Sequence, residues 1–185
     1  MKIVEALTRQ DFITGDVVGE GLTTYYKSLK ETAGIYVDSS EALASEEMAY
    51  YVTSQLNNKP DDNKEALNWG VTSMYPLTVN GEFCMTRGHF HLDRDYPEYY
   101  LCTAGEGHLL CWDGADEVIC YHLTPGAVVY IDGRLAHRLI NTGHEMFKVA
   151  ACWAGKSGND YQTIEERGFP VRAFKVDGNI EWRKA

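Results

Sequence analysis

The sequence predicts a mainly β fold closed into a small barrel. Between residues 67 and 153, Tyr, Phe, Val, Ile and Cys are abundant, the residue types that suit a pleated, half-buried surface. Turn signals recur at short intervals in the same stretch: Asn80-Gly81, Ala104-Gly105-Glu106-Gly107, Asp113-Gly114, Thr124-Pro125-Gly126, Asp132-Gly133 and Thr142-Gly143. Several short strands so punctuated favour a sandwich or barrel over a parallel α/β sheet. A length of 185 residues fits one domain. Its expected parts are strands and a helix over about 1–66, a barrel core over 67–153 and an extension over 154–185.

In the first part, Ser39 and Ser40 offer N-cap oxygens and Glu41 suits the positive end of a helix. Met48, Val52 and Leu56 recur at i, i+4 and i+8, so a helix lying on the outside of the β core is expected there. Residues 57–64, with Pro60-Asp61-Asp62, read as a polar connection. After the barrel come a polar loop, a short helix near residues 163–167 and a final strand over 171–176. No solenoid-period repeat and no low-complexity tract is visible.

The formal charge of −10 argues against a nucleic-acid footprint, which needs clustered Lys and Arg. No apolar run approaches a membrane span, residues 126–131 being among the longest. Met1-Lys2-Ile3-Val4-Glu5 has no secretory pattern. Cys84, Cys102, Cys111, Cys120 and Cys152 are an odd number with no Cys-x-x-Cys pair. They are expected to be small buried hydrophobes in a reducing cytoplasm.

Gly88-His89-Phe90-His91 lies in a strand-like context, where residues i and i+2 share a face, so His89 and His91 aim together and Phe90 points away. Glu98 opens the next strand-like run and can face the pair if residues 92–97 turn the chain back. His137 must arrive by tertiary folding. Three imidazoles and one carboxylate suit Fe(II), Mn(II), Ni(II), Co(II) or Zn(II) better than Mg(II). Four protein ligands leave positions open on a five- or six-coordinate ion, while closed tetrahedral zinc is the structural alternative. His108, His122 and His144 fall outside the set and read as surface or satisfied residues.

The spacing His89-x-His91-x6-Glu98-x6-Gly105, followed by Pro125-Gly126 and His137-x3-Asn141, resembles the two-part signature of the cupin superfamily, which implies a double-stranded β-helix, or jelly-roll barrel. Further blocks are similar to the archaeal-type, cupin-fold glucose-6-phosphate isomerase family. These are Thr72-Ser73-Met74-Tyr75-Pro76, Gly81-Glu82-Phe83, Thr86-Arg87-Gly88-His89-Phe90-His91, Ala136-His137-Arg138 and Gly158-Asn159-Asp160-Tyr161-Gln162-Thr163-Ile164. That resemblance implies interconversion of glucose 6-phosphate and fructose 6-phosphate, in glycolysis and gluconeogenesis, by a cytoplasmic homodimer. It makes His89, His91, Glu98 and His137 the ligands of one divalent transition metal per chain, Fe(II) first among the candidates. It supports Glu98 as the catalytic proton carrier through an enediol, with a metal-assisted hydride shift as the competing route, and places Thr72, Thr86, Gly88 and Tyr161 around the phosphorylated hexose. No nucleic-acid or membrane partner is implied.

Three positions depart from the family pattern: Asn159 stands where many members have His, Trp153 where Tyr is usual, and Leu77 where Gly is expected. They bear on substrate preference. The competing readings are a metal-dependent cupin dioxygenase and a sugar-phosphate-binding cupin without catalysis.

Overall fold

A computed structural model describes residues 1–57 and 66–185, so most of the expected polar connection lies outside the described residues. In chain order the strands begin with β1 (Thr8–Gln10), β2 (Val17–Gly19) and β3 (Thr23–Ser28). A 3-10 helix (Lys30–Ile35) and a short α1 (Ser40–Ala44) precede β4 (Met48–Gln55), β5 (Leu67–Met74), β6 (Thr78–Val79) and β7 (Glu82–Phe83). The core continues with β8 (Glu98–Ala104), β9 (Gly107–Trp112), β10 (Val118–Leu123), β11 (Val128–Ile131), β12 (Ala136–Ile140) and β13 (Phe147–Ala154). Then follow α2 (Gln162–Arg167), β14 (Val171–Val176) and β15 (Asn179–Lys184).

One antiparallel sheet has the order β11-β8-β13-β5-β4-β3 and a second the order β10-β9-β12. The segment before His91 extends the second sheet beside β12 through the bridges Met85–Ile140 and His89–His137. The chain therefore crosses between sheets at 8-to-9, 10-to-11, 11-to-12 and 12-to-13, the winding of a jelly roll. Met74, Leu109, Ile131, Leu139, Ile140, Phe147 and Val149 fill the space between the sheets, each buried. The mainly β expectation and its jelly-roll form hold. The glycine turns work as read: Asn80 and Gly81 have φ of 47° and 81°, the left-handed pair that closes a tight hairpin between β6 and β7.

The expected helix is corrected. Only Ser40–Ala44 is helical, and Met48–Gln55 is an interior strand paired with both β3 and β5. Tyr50, Tyr51, Val52 and Thr53 are aromatic or β-branched, types that pack well on a pleated surface. The short helix and the last strand of the extension appear as α2 and β14, and β15 is an addition. The five cysteines are free; Cys84, Cys102 and Cys111 are buried and Cys152 is half-buried. Cys120 is corrected to exposed, because it sits on β10, at the edge of its sheet. Among the described residues no helix is long and apolar enough to cross a membrane.

Asn141, at the end of β12, is fully buried and ties three backbone groups together. Its Nδ2 donates to the carbonyls of Met74 (3.0 Å) and Glu145 (2.9 Å), and its Oδ1 accepts from the Gly143 N–H (3.0 Å). Asn141→Ala is expected to cost about 1–3 kcal/mol, the penalty of leaving buried polar groups unsatisfied. Urea unfolding at fixed metal content measures it, and an unchanged midpoint would mean that water replaces the amide.

Candidate metal centre

His89 and His91 flank Phe90 on one extended segment, and the alternation separates them as expected: Phe90 is buried against Trp112, with ring centroids 5.9 Å apart. Residues 92–97 turn the chain so that Glu98, first residue of β8, faces the histidines. The antiparallel bridge His89–His137 brings in the last imidazole from β12. One ligand atom from each of His89, His91, Glu98 and His137 lies within 4.8 Å of the others. His91, Glu98 and His137 are all buried.

Hydrogen bonds prepare two of the imidazoles as ligands. His91 Nδ1 lies 2.6 Å from the Tyr96 carbonyl and His137 Nδ1 lies 3.3 Å from the Leu135 carbonyl. A carbonyl only accepts, so each Nδ1 carries the proton and each Nε2 presents a lone pair. His137 Nε2 is 2.6 Å from Glu98 Oε1 and His91 Nε2 is 3.5 Å from the same oxygen. Yet neither His137 Nε2 nor Glu98 Oε1 has a hydrogen-bond partner of acceptable geometry. Two electron-rich atoms facing each other in a buried site call for a cation between them. This donor set fits a divalent transition ion.

Burial pushes the Glu98 carboxyl up, but positive charge at its imidazole neighbours, His137 foremost, outweighs it and holds it well below the ordinary value, so it is ionised; with neutral imidazoles a metal ion supplies that charge. Burial, with His137 nearby, holds His89 well below the usual imidazole range. For His91, burial works downward but the neighbouring Glu98 carboxylate prevails and raises it. Metal uptake at His91 therefore competes with a proton.

Two adjoining cavities open on this cluster. The larger, about 210 Å³, is lined by His89, His91, Glu98, Trp153 and Asn159 among others. The smaller, about 70 Å³, is lined by Thr72, Thr86, Gly88 and Tyr161 together with His89 and His137. The four residues expected around a phosphate thus meet in one place. Of the three departures from the family pattern, Trp153 and Asn159 line the larger cavity, while Leu77 packs on the hydrophobic core away from it.

Gly88 is needed for a different reason than close approach to a ligand. Its φ is +74°, and a Cβ there would come 2.7 Å from Phe169 Cε2 and 3.0 Å from Arg138 Cβ. The wall behind the segment excludes a side chain. Tyr161 is held by the Arg87 guanidinium, 4.4 Å from its ring centre, and packs on His89. Burial raises its phenol pKa despite Arg87, which keeps it a hydrogen-bond donor. Tyr100 lines both cavities and lies 5.7 Å, ring to ring, from His137. It was not among the residues singled out from sequence, although its place two after Glu98 puts both on one face of β8. His108 and His122 stack on each other away from the cluster, and His108 Nδ1 meets Thr142 Oγ1 at 2.9 Å.

A jelly roll holding three histidines and a glutamate at this spacing defines a cupin. The family model described as glucose-6-phosphate isomerase (GPI) matches residues 26–185. The glucose-6-phosphate isomerase of Pyrococcus horikoshii is 33% identical over 172 residues, covering 92% of this chain and 90% of that protein. Those of Pyrococcus abyssi and Thermococcus litoralis are 31% and 32% identical, each again covering 92% of this chain, and 90% and 89% of their own lengths. The chain belongs to the glucose-6-phosphate isomerase family, and it is an enzyme.

Proposed function

We propose that this enzyme interconverts glucose 6-phosphate and fructose 6-phosphate with the help of one divalent transition metal per chain, Fe(II) first among Fe, Mn, Ni, Co and Zn. We place it in glycolysis and gluconeogenesis, as a cytoplasmic homodimer. The observation that carries the reading is the junction of the His89, His91, Glu98 and His137 cluster with a hydroxyl-lined cavity. A metal held there supplies Lewis-acid polarisation of the sugar carbonyl.

The chain's own residues do the rest. Thr72, Thr86 and Tyr161 offer hydroxyl donors, and the backbone N–H of Gly88 a further one, to the phosphate oxygens. Thr86 Oγ1 already accepts from the Leu139 N–H at 3.0 Å, which leaves its own hydrogen to give. Glu98 takes the proton from C2 of the aldose and returns it to C1, while the hydroxyl proton passes from O2 to O1. Both cavities are flanked by apolar and aromatic side chains that limit water around that transfer. Trp153 and Asn159 contact the sugar end and set the preference between epimers.

Stripping the protein of metal, adding back each ion singly and assaying glucose 6-phosphate and mannose 6-phosphate tests the reading. Activity is expected to return with at least one ion on glucose 6-phosphate, and none with any ion would overturn it. Substrate deuterated at C2 separates two routes: label lost to water supports Glu98 as proton carrier, whereas complete retention supports a direct hydride shift from C2 to C1.

A further inference from the structure

A cavity of about 630 Å³ lies apart from the metal cluster, and Arg87, Arg138, Arg167 and Arg172 all line it. Four arginines around one space, in a chain of net charge −10, ask for a reason. Two are already neutralised: Arg87 pairs with Glu165, and Arg172 with Glu82. Neither Arg138 nor Arg167 has an ion-pair partner among the described residues. Arg167 donates to the Gly114 carbonyl (2.6 Å) and lies over the Trp112 ring. The acidic side chains at the rim are engaged elsewhere, Glu31 by Lys27 and Ser28 and Glu166 by Gln162.

Arg138 is the unusual one. It is only 3% exposed, stacked on Phe169 with the guanidinium carbon 4.2 Å from the ring centre. Its Nη2 donates to the Arg87 carbonyl (2.6 Å), Nη1 meets only the thioether of Met85 (3.0 Å), and Nε has no acceptor. A buried guanidinium with no ion pair of its own is costly, since the carboxylate that acts on it, Glu82, is already paired with Arg172, and its five-donor fork matches the oxygens of a tetrahedral anion. The two arginines lacking an ion-pair partner match the double charge of a phosphate dianion.

We propose that this cavity is a second anion site, separate from the sugar-phosphate pocket, which takes the inorganic phosphate dianion against Arg138, with Arg167 and Arg172 beside it. The site does not depend on the isomerase reading.

Gly34 gives a clean test. It lines the same cavity, its φ is not positive, and a Cβ added there meets nothing within 4 Å, so Gly34→Phe places bulk at the cavity while leaving Arg138 and the metal ligands unsubstituted. Arg138→Met removes the cation while keeping an unbranched apolar stem. Equilibrium dialysis with radiolabelled inorganic phosphate at low salt is run on wild type and both variants, with and without saturating glucose 6-phosphate. Wild type is expected to bind one equivalent per chain more than either variant, and to keep that equivalent when the sugar phosphate is present. Gly34→Phe is expected to retain isomerase activity, and it decides the matter alone if Arg138→Met fails to fold. Equal phosphate stoichiometry in wild type and Gly34→Phe, or complete displacement of phosphate from wild type by glucose 6-phosphate, overturns the proposal. Because the readout is a difference of one equivalent, a wrong assignment of the substrate pocket would leave it intact.

Discussion

Glu98→Gln is expected to lower kcat by about 10²–10⁴-fold, the range that a positioned acid–base group contributes, with a much smaller change in KM for glucose 6-phosphate. The substitution keeps the shape of a side chain that is only 5% exposed and removes its charge and basicity. It also removes the anion that faces His137 and His91, so metal affinity falls as well, and the two effects must be separated. Kinetics are therefore measured at saturating metal, with metal content determined on the same sample. Full occupancy with a large loss of kcat identifies Glu98 as the proton carrier. Full occupancy with near wild-type kcat would remove that role and leave the hydride shift. Low occupancy that excess metal cannot restore would assign Glu98 to binding the ion rather than to the chemistry.

The centre was legible in the sequence to unequal depth. His89 and His91 follow from the two-residue period of a strand, and Glu98 from its place at the start of the next apolar run. His137 does not follow from local pattern at all. Its position depends on β12 pairing against the segment that carries His89, a contact across 47 intervening positions that only the two-part motif made visible. Tyr100 shows the opposite case, since the rule that joins His89 to His91 also joins it to Glu98.

The misread helix has a geometric origin. Met48, Val52 and Leu56 are spaced by four, which lies close to a helical turn but is also a multiple of two, so the three would share a face on a strand as well. Spacing could not choose between the periods; the run Tyr50-Tyr51-Val52-Thr53 between them carried the deciding preference. β15 had its own signal in Asp177-Gly178, whose φ values of 50° and 80° close the hairpin to β14. The arginine cavity had none. Its four residues are scattered from position 87 to 172 and meet only because β12, α2 and β14 pack on one side of the barrel.

Glu82→Ala is expected to cost about 3–5 kcal/mol of stability, a large share of the 5–15 kcal/mol typical of a domain. Glu82 is 1% exposed on β7 and holds the four-stranded sheet to the amino-terminal region. Its Oε1 accepts from Arg172 Nη1 at 2.8 Å, and its Oε2 accepts from the Val37 N–H at 2.9 Å. The same Arg172 nitrogen donates to the Ile35 carbonyl at 2.8 Å, so one carboxylate and one guanidinium join β7, β14 and the chain leaving the 3-10 helix. Truncation leaves Arg172, itself only 15% exposed, without its counter-charge. At the 2–4 °C per kcal/mol usual for this chain length, Tm should fall by about 6–20 °C at fixed metal content. Removing both charges in Glu82→Leu/Arg172→Met should recover much of that loss, because the single variant is penalised mainly for the charge left behind. Activity per folded molecule should be unchanged, since Glu82 lines neither substrate cavity. A cost for Glu82→Ala of under about 1 kcal/mol is what a solvent-screened surface pair would give, and would mean that water reaches Arg172 and solvates it.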